Sequence, residues 1–176
     1  MINIEKMTVA DAPEVMDLIN TVHDNMEHQE WYAIDDLEFY AHFLEEGKGI
    51  GYKAVDDEKQ ALAGIFIALI PDKKELNLGY DAGLCEEDCN KTAVMDTAAV
   101  LPAYRGQKLQ YRLMQAAEKD LRKLGFKYLT GTIHPDNQYS LHNAVIQGYK
   151  VVNTKEKYGG FLRHIVLKNL EESANE

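Results

Sequence analysis

The stretch that decides the fold is Val100-Leu101-Pro102-Ala103-Tyr104-Arg105-Gly106-Gln107-Lys108-Leu109-Gln110. An apolar strand ends at Pro102, and the chain then turns into a segment with the spacing of an amphipathic helix. The first turn of a helix presents unpaired backbone N–H groups and the positive end of the helix dipole. Gly106 removes a side chain there, and Arg105 and Lys108 add positive charge. We interpret the stretch as a diphosphate site rather than an ordinary strand-to-helix turn with a basic start.

Outward from this stretch, hydrophobic spacing and turn residues divide the chain into regular elements. Alternating apolar residues predict strands, and apolar residues three and four apart predict helices. The predicted strands are Met1–Met7, Ile50–Val55, Leu62–Ile70, Ala93–Val100, Tyr128–Ile133, Tyr149–Val152 and Phe161–Leu167. The predicted helices run from Thr8 or Asp11 to about Val22, from Leu37 to Leu44, from Gly106 to Leu124 and from Gln138 to Gln147.

The element order predicts an α/β fold of the α+β type. Hairpins at both ends imply antiparallel strand pairs, and the strand–helix–strand unit at residues 93–133 implies a parallel pair. We therefore expect a mixed central sheet of six to seven strands with helices on both faces. No linker or repeat divides the 176 residues, so a single domain over residues 1–176 is expected.

Composition narrows the function classes. The formal charge is −10, from 29 acidic and 19 basic residues, which argues against nucleic-acid binding through phosphate neutralisation. An acidic surface either attracts a cationic substrate or serves solubility alone. No apolar run is long enough to span a membrane, and residues 1–6 do not resemble a secretory signal. The expected location is the cytoplasm.

The two cysteines do not indicate a metal site. Cys85 and Cys89 flank three acidic residues, but a structural zinc needs four ligands of Cys or His type and no second pair follows. We interpret both as reduced thiols and expect no metal.

The quoted stretch resembles the acyl-CoA signature of GCN5-related N-acetyltransferases, Val-x-Pro-x-Tyr-Arg-Gly overlapping R-x-x-G-x-G/A. The matching residues are Val100, Pro102, Tyr104, Arg105 and Gly106. Two residues depart from it, since Lys108 and Gln110 stand where the signature has glycine and then glycine or alanine.

A second motif of the same family follows after the predicted strand at Tyr128–Ile133. It has an Asn, a small residue three positions on, and Gly-Phe or Gly-Tyr eleven positions after the Asn. Asn137, Ser140, Gly148 and Tyr149 have that spacing. The two motifs cover the C-terminal two thirds of the chain, and the N-terminal third resembles the family by element order alone.

The resemblance implies an acetyl-CoA-dependent N-acetyltransferase in which a neutral primary amine attacks the thioester directly. It also implies that the fourth and fifth strands splay apart around the pantetheine arm. By the resemblance, the cofactor-binding residues are Ala98, Ala99, Val100, Arg105, Gly106, Gln107, Lys108, Leu109, Gln110, Asn137, Ser140 and Asn143.

The catalytic residues depart from the family pattern, because relatives often carry a thiolate-protonating Tyr where this chain has Ala144. Tyr139 is the candidate acid, with a packing aromatic as the alternative. Asp96 is the candidate base, since a desolvated carboxylate has a raised pKa, and a structural Asp is the alternative. His134 is a further candidate, because histidine titrates near neutrality.

In this family the first two helices and nearby loops build the acceptor pocket. The candidate substrate-binding residues are Glu30, Trp31 and Tyr32, whose ring faces and charge suit a cationic amine, although a solvated helix end is an equal interpretation. The acceptor is expected to be a small molecule or a peptide, and a homodimer stays open. The alternative function is an acyl-CoA-binding sensor with little catalysis, which Ala144, Lys108 and Gln110 favour.

Overall fold

A computed structural model describes residues 1–172 of the chain. These residues form two compact units. The first unit consists of Met1–Gln29, Ile34–Leu69 and Asp96–Asp120. The second consists of Glu30–Ala33, Ile70–Met95 and the chain from Leu121 onward.

Seven strands form one mixed sheet in the order β1-β2-β3-β4-β5-β7-β6. Antiparallel ladders join β1 to β2, β2 to β3, β5 to β7 and β6 to β7. β4 and β5 are parallel, and their register joins Thr92–Val94 to Tyr128–Thr130, the first three residues of each strand. The strands are β1 Ile2–Lys6, β2 Gly49–Asp56, β3 Ala61–Leu69, β4 Thr92–Val100, β5 Tyr128–Ile133, β6 Lys150–Lys157 and β7 Phe161–Asn169.

Within residues 1–172, six α-helices connect the strands, together with four short 3-10 turns. The α-helices are α1 Ala12–Asp24, α2 Leu37–Glu45, α3 Leu78–Asp81, α4 Glu86–Cys89, α5 Leu109–Lys123 and α6 Gln138–Ile146. The 3-10 turns are Val9–Asp11, Gln29–Trp31, Lys74–Leu76 and Pro102–Tyr104. No helix in residues 1–172 is long and apolar enough to cross a membrane.

In the first unit, α1 packs on β3 and α2 packs on β2. The apolar face of α1 supplies Val15 and Ile19, and every residue from Leu62 to Leu69 in β3 is buried. A strand covered on both faces has a continuous apolar sequence rather than an alternating one, as β3 has. Asp36 caps α2, because its side chain accepts a hydrogen bond from the Phe39 N–H at 2.9 Å.

In the second unit, the core forms around β5 and β7. Leu129 and Ile165 are fully buried, and Leu121, at the end of α5, is buried with them. Gly125, with a φ of +86°, ends α5 in the left-handed conformation that favours glycine. Its neighbour Phe126 closes the helix by donating its N–H to the Leu121 carbonyl at 3.1 Å.

The observed fold confirms the predicted mixed α/β class. All seven predicted strands are present, and the bounds of β5 are those predicted. The predicted segment Tyr149–Val152 is too short, because β6 runs to Lys157 and pairs with β7 from Lys150 to Lys157, with a register shift between Val151 and Asn153. The helix predicted from Gly106 begins three residues later, at Leu109.

Candidate active site

The backbone explains why α5 begins at Leu109. Gly106 has a φ of +79° and Lys108 has a φ of +56°, both in the left-handed region that an α-helix excludes. Residues 105–108 therefore form a turn, which we call the left-handed turn. The first helical hydrogen bond joins the Arg112 N–H to the Lys108 carbonyl at 3.0 Å.

The left-handed turn leads straight to the positive end of α5. The N–H groups of residues 109–111 precede the first helical bond, so no carbonyl of the helix accepts them. Fifteen residues of helix add their dipoles behind these groups. Backbone N–H groups in successive turn conformations also form an anion-binding concavity. The arrangement fits a phosphate-bearing ligand.

Space and charge at the turn agree with this fit. A Cβ added to Gly106 would meet no atom within 4 Å, so the place beside its backbone is open. Glycine is needed there for its φ rather than for close packing against the protein. The exposed side chains of Arg105 and Lys108 add two positive charges.

Lys108 occupies a glycine position of the signature, and its left-handed φ shows what glycine provides there. An L-residue pays roughly 1–2 kcal/mol for this conformation. The chain therefore keeps the turn geometry of the signature in spite of the substitution. Gln110, the other departure, lies inside α5 and is half-buried.

Tyr104 ties the left-handed turn to the β2–β3 hairpin. Its hydroxyl donates a hydrogen bond to the Asp56 carboxylate at 2.9 Å, and both side chains are buried. This hydrogen bond lowers the pKa of Asp56, so the carboxylate stays charged. Sequence reasoning missed Asp56. The available signal was a carboxylate closing a strand directly before the hairpin turn.

The end of β4 lies close to β3. The Leu101 N–H donates to the Ala63 carbonyl at 3.0 Å, and a Cβ on Gly64 would come within 3.0 Å of the Ala99 carbonyl. Gly64 thus permits this approach. Of the predicted cofactor residues on β4, Ala99 is buried, and Ala98 and Val100 are half-buried.

Asp96 is a half-buried carboxylate on β4, accompanied in the first unit by Asp35 and Tyr40. Loss of surrounding water and the nearby charge of Asp35 raise the pKa of Asp96 to about 7, although a hydrogen bond from Tyr40 acts in the opposite direction. The buried Tyr40 hydroxyl also accepts the Asp35 N–H at 3.3 Å. Partial desolvation and the charge of Asp36 raise the pKa of Asp35 as well. A carboxyl group that titrates near neutrality can accept and release a proton.

Asn137 is the N-cap of α6 in the second unit. Its side-chain oxygen accepts the Ser140 N–H at 3.2 Å, and its carbonyl accepts the Leu141 N–H at 3.1 Å. The amide NH₂ of the side chain is thus the donor that remains for a ligand. Ser140 and Asn143 are half-buried on the same helix.

Tyr139, the candidate acid, and His134, the further candidate base, differ in how they are held. The Tyr139 side chain is 90% exposed and bonds to none of the described residues, so the fold does not fix its hydroxyl. Ala144, at the position where relatives place a Tyr, is buried. His134 is well held, because its Nδ1 accepts the Asp136 N–H at 3.2 Å and its ring stacks on Trp31.

The predicted acceptor-binding segment lies in the second unit with His134. The centroids of the Trp31 and His134 rings are 5.8 Å apart, with the ring planes inclined by 23°. Arg163 on β7 bonds to the main chain of Glu30. Sequence reasoning missed Arg163. Its signal was a charged residue in step with Ile165 and Leu167 on an apolar strand.

The two cysteines differ in exposure. Cys85 is exposed and Cys89 is buried, and both are free thiols. In residues 1–172, no three His, Cys, Asp or Glu side chains lie close enough together to hold a metal ion.

Comparison with known proteins identifies the family. The sequence model of the Acetyltransferase (GNAT) family matches residues 12–149. A search of curated protein sequences finds no significant match.

Solved structures with the same fold include three acetyltransferases of low sequence identity. A GNAT-family acetyltransferase from Streptococcus pneumoniae is 16% identical, with a TM-score of 0.73 and coverage of 97% of this chain and 100% of the other. PaiA N-acetyltransferase from Thermoplasma acidophilum, solved with coenzyme A, is 16% identical, with a TM-score of 0.67 and coverages of 96% and 99%. Mosquito arylalkylamine N-acetyltransferase like 5b is 18% identical, with a TM-score of 0.70 and coverages of 97% and 100%.

The chain belongs to the GNAT acetyltransferase family. It is an N-acetyltransferase, and its acyl donor is acetyl-CoA. The left-handed turn and the start of α5 bring N–H groups, open space and positive charge together.

The strain at Lys108 is testable by substitution. Lys108→Gly should raise the free energy of unfolding by about 0.5–1 kcal/mol, because relief of the left-handed conformation exceeds the extra chain entropy that glycine loses. Gly106→Ala should lower it by about 1 kcal/mol, because alanine must then adopt a φ near that of the wild type. Urea unfolding of both variants measures the two changes. Changes of the same sign would contradict the described turn.

Proposed function

We propose that the chain transfers the acetyl group of acetyl-CoA to a primary amine of a small molecule or a peptide by direct attack. The observation that carries the proposal is the left-handed turn before α5, with Gly106 and Lys108 both at positive φ. Bound acetyl-CoA supplies a thioester whose carbonyl carbon accepts the amine. In this proposal, residues Arg105–Gln110 hold the diphosphate through main-chain N–H groups and two cationic side chains.

The remaining cofactor contacts are proposed from the two family motifs. Main-chain groups of Ala98, Ala99 and Val100 bind the pantetheine arm and polarise the thioester carbonyl. In the second unit, Asn137 donates through its side-chain NH₂, because its oxygen already caps α6. Ser140 and Asn143 are proposed to lie near the cofactor.

Asp96 is the proposed general base. A primary ammonium group must lose a proton before its nitrogen can attack. Because desolvation and Asp35 raise the pKa of Asp96 to about 7, its carboxylate can accept a proton near neutrality and release it again. The negative charges of Asp35 and Asp96 also favour a cationic acceptor.

The general acid stays open. Tyr139 is the proposed candidate, and water can protonate the thiolate if Tyr139 does not. His134, whose ring stacks on Trp31, is a second candidate for the base.

Glu30, Trp31 and Tyr32 are proposed to bind the acceptor. The Trp31 ring face and the Glu30 carboxylate suit a cationic group attached to an apolar body. A match over residues 12–149 includes segments of both compact units, which supports one acetyltransferase domain over residues 1–176. The cytoplasmic location and a homodimer stay predictions.

An acyl-CoA sensor is the second candidate function. Two observations favour it, the buried methyl group of Ala144 and the exposed side chain of Tyr139. Incubation with acetyl-CoA and benzylamine, cadaverine or trialanine, followed by assay of free thiol, separates the two functions. The transferase proposal expects amine-dependent thiol release. Tight coenzyme A binding without release from any of the three amines would favour the sensor.

The diphosphate site predicts a charge-specific loss of coenzyme A affinity. Arg105→Glu should raise the Kd for coenzyme A about tenfold or more, because it removes a charged donor and adds repulsion. Lys119→Glu, with the same charge change on an exposed residue of α5, is the matched control and should change the Kd by less than about twofold. Isothermal titration calorimetry measures both, and equal effects would refute the placement.

The assignment of Asp96 as general base predicts how substitutions change kcat and the pKa of Asp96. Asp96→Asn should lower kcat by about 10²–10⁴-fold, the usual contribution of a general base. In ¹³C NMR titrations of the carboxyl groups, Asp35→Asn should lower the pKa of Asp96, because a nearby negative charge is lost. Tyr40→Phe should raise it, because the carboxylate loses a hydrogen bond. An Asp96 pKa that neither substitution moves would contradict the described environment.

A further inference from the structure

Arg163 is a charged side chain in a buried position of β7. Its relative exposure is 2%, and it follows the same alternation as the buried Ile165. Burial lowers the pKa of the guanidinium, and electrostatic interactions with Tyr158 and Glu30 act in the opposite direction. Burial of a charged group is costly unless hydrogen bonds and nearby charge offset it. Arg163 has both hydrogen-bond acceptors and aromatic rings as neighbours.

The guanidinium group of Arg163 binds two main-chain carbonyls. Its Nη2 donates to the Glu30 carbonyl at 2.6 Å, and its Nη1 donates to the Leu162 carbonyl at 2.9 Å. Its central carbon lies 5.8 Å from the ring centroid of Tyr158 and 5.5 Å from that of Phe161. Aromatic rings within about 6 Å attract a cation through their negative faces.

The bond to Glu30 joins β7 to a segment 133 residues earlier in the chain. That segment, Gln29–Trp31, is a single 3-10 turn, and one turn of helix has little stability of its own. A hydrogen bond from a charged donor contributes more than a neutral one. Arg163 therefore holds this turn in place through its main chain.

Held in this way, the turn presents Trp31 to His134. Glu30 and Trp31 are adjacent, so the carbonyl that Arg163 binds precedes the residue whose ring stacks on His134. The Tyr158 hydroxyl further bonds to the Thr132 hydroxyl at 3.0 Å, and His134 follows two residues later, directly after the end of β5. Arg163, the turn and the end of β5 thus form one connected cluster in the second unit.

We infer that Arg163 is a positioning residue for the amine acceptor, because it fixes the Glu30–Trp31 turn and with it the Trp31 ring against His134. The inference rests on the proposed function, which assigns Glu30, Trp31 and Tyr32 to the acceptor. Arg163 itself is too buried to meet a substrate, so its effect passes through the turn. Amine binding should then depend on Arg163, and coenzyme A binding should not.

Trp31 allows a direct test, because it is the only tryptophan of the chain. Its emission spectrum and its quenching by acrylamide report on this turn alone. Arg163→Met keeps the apolar stem and removes the donors, so the emission should shift to longer wavelength and quenching should increase. Arg163→Lys keeps a charged donor and should restore part of both signals. Arg122→Met is the matched control, because Arg122 also donates to a main-chain carbonyl, that of Leu170 at 2.9 Å.

Steady-state kinetics with benzylamine, cadaverine or trialanine provides the second readout. Arg163→Met should raise the KM for the amine about tenfold, the size expected for loss of a hydrogen bond from a charged donor. With the amine saturating, kcat and the KM for acetyl-CoA should change by less than about twofold, since the substitution weakens binding of the amine alone. Calorimetry with coenzyme A and a thermal melt establish that the variants are folded.

The outcomes separate this inference from the proposed function. Unchanged Trp31 emission and quenching in folded Arg163→Met would overturn the inference, whether or not the protein is an active transferase. Equal increases in the KM values for both substrates would also overturn it. So would the same changes in Arg122→Met. If no amine is acetylated by the wild type but Trp31 responds as expected, the proposed function fails and the anchoring of the turn stands.

Discussion

An α-helix leaves the N–H groups of its first turn without carbonyl partners, and the proposed function of this protein depends on where α5 leaves them. The left-handed turn at residues 105–108 directs the chain from β4 into α5, so the free N–H groups follow an open loop with two cations. The Tyr104–Asp56 hydrogen bond fixes the approach to that loop. A protein with a net charge of −10 thereby places two cations beside free N–H groups, where we propose that an anion binds.

The surroundings of Asp96 on β4 raise the pKa of its carboxyl group. A half-buried position removes part of its water, and Asp35 adds a second negative charge nearby. Both effects favour the protonated form, and the hydrogen bond from Tyr40 limits the shift. The result is a group that titrates near neutral pH, where an amine must lose a proton before it can attack. Asp35 and Tyr40 therefore matter to the proposed chemistry although neither is assigned a proton transfer.

The sequence predicted the strands and the family well, because both depend on local signals. Alternation and turn residues are enough to locate β5, and five matching residues among the seven positions 100–106 are enough to identify the signature there. The start of α5 was predicted three residues too early, since helical spacing does not reveal a positive φ at a lysine. Asp56, Tyr40 and Arg163 were missed or left unassigned because a partner of each lies far away in the chain, where no pattern of spacing connects them. These partners are Tyr104, Asp96 and Glu30.

The central claim is that the main chain from Gly106 to Gln110 binds the diphosphate of the cofactor. An NMR titration of the ¹⁵N-labelled protein with coenzyme A measures this most directly, because each backbone amide gives its own signal. The claim predicts that the largest amide shifts fall on residues 106–110. Pantetheine, which lacks the diphosphate, should fail to produce them. Saturable binding of coenzyme A that leaves these five amides unchanged would contradict it.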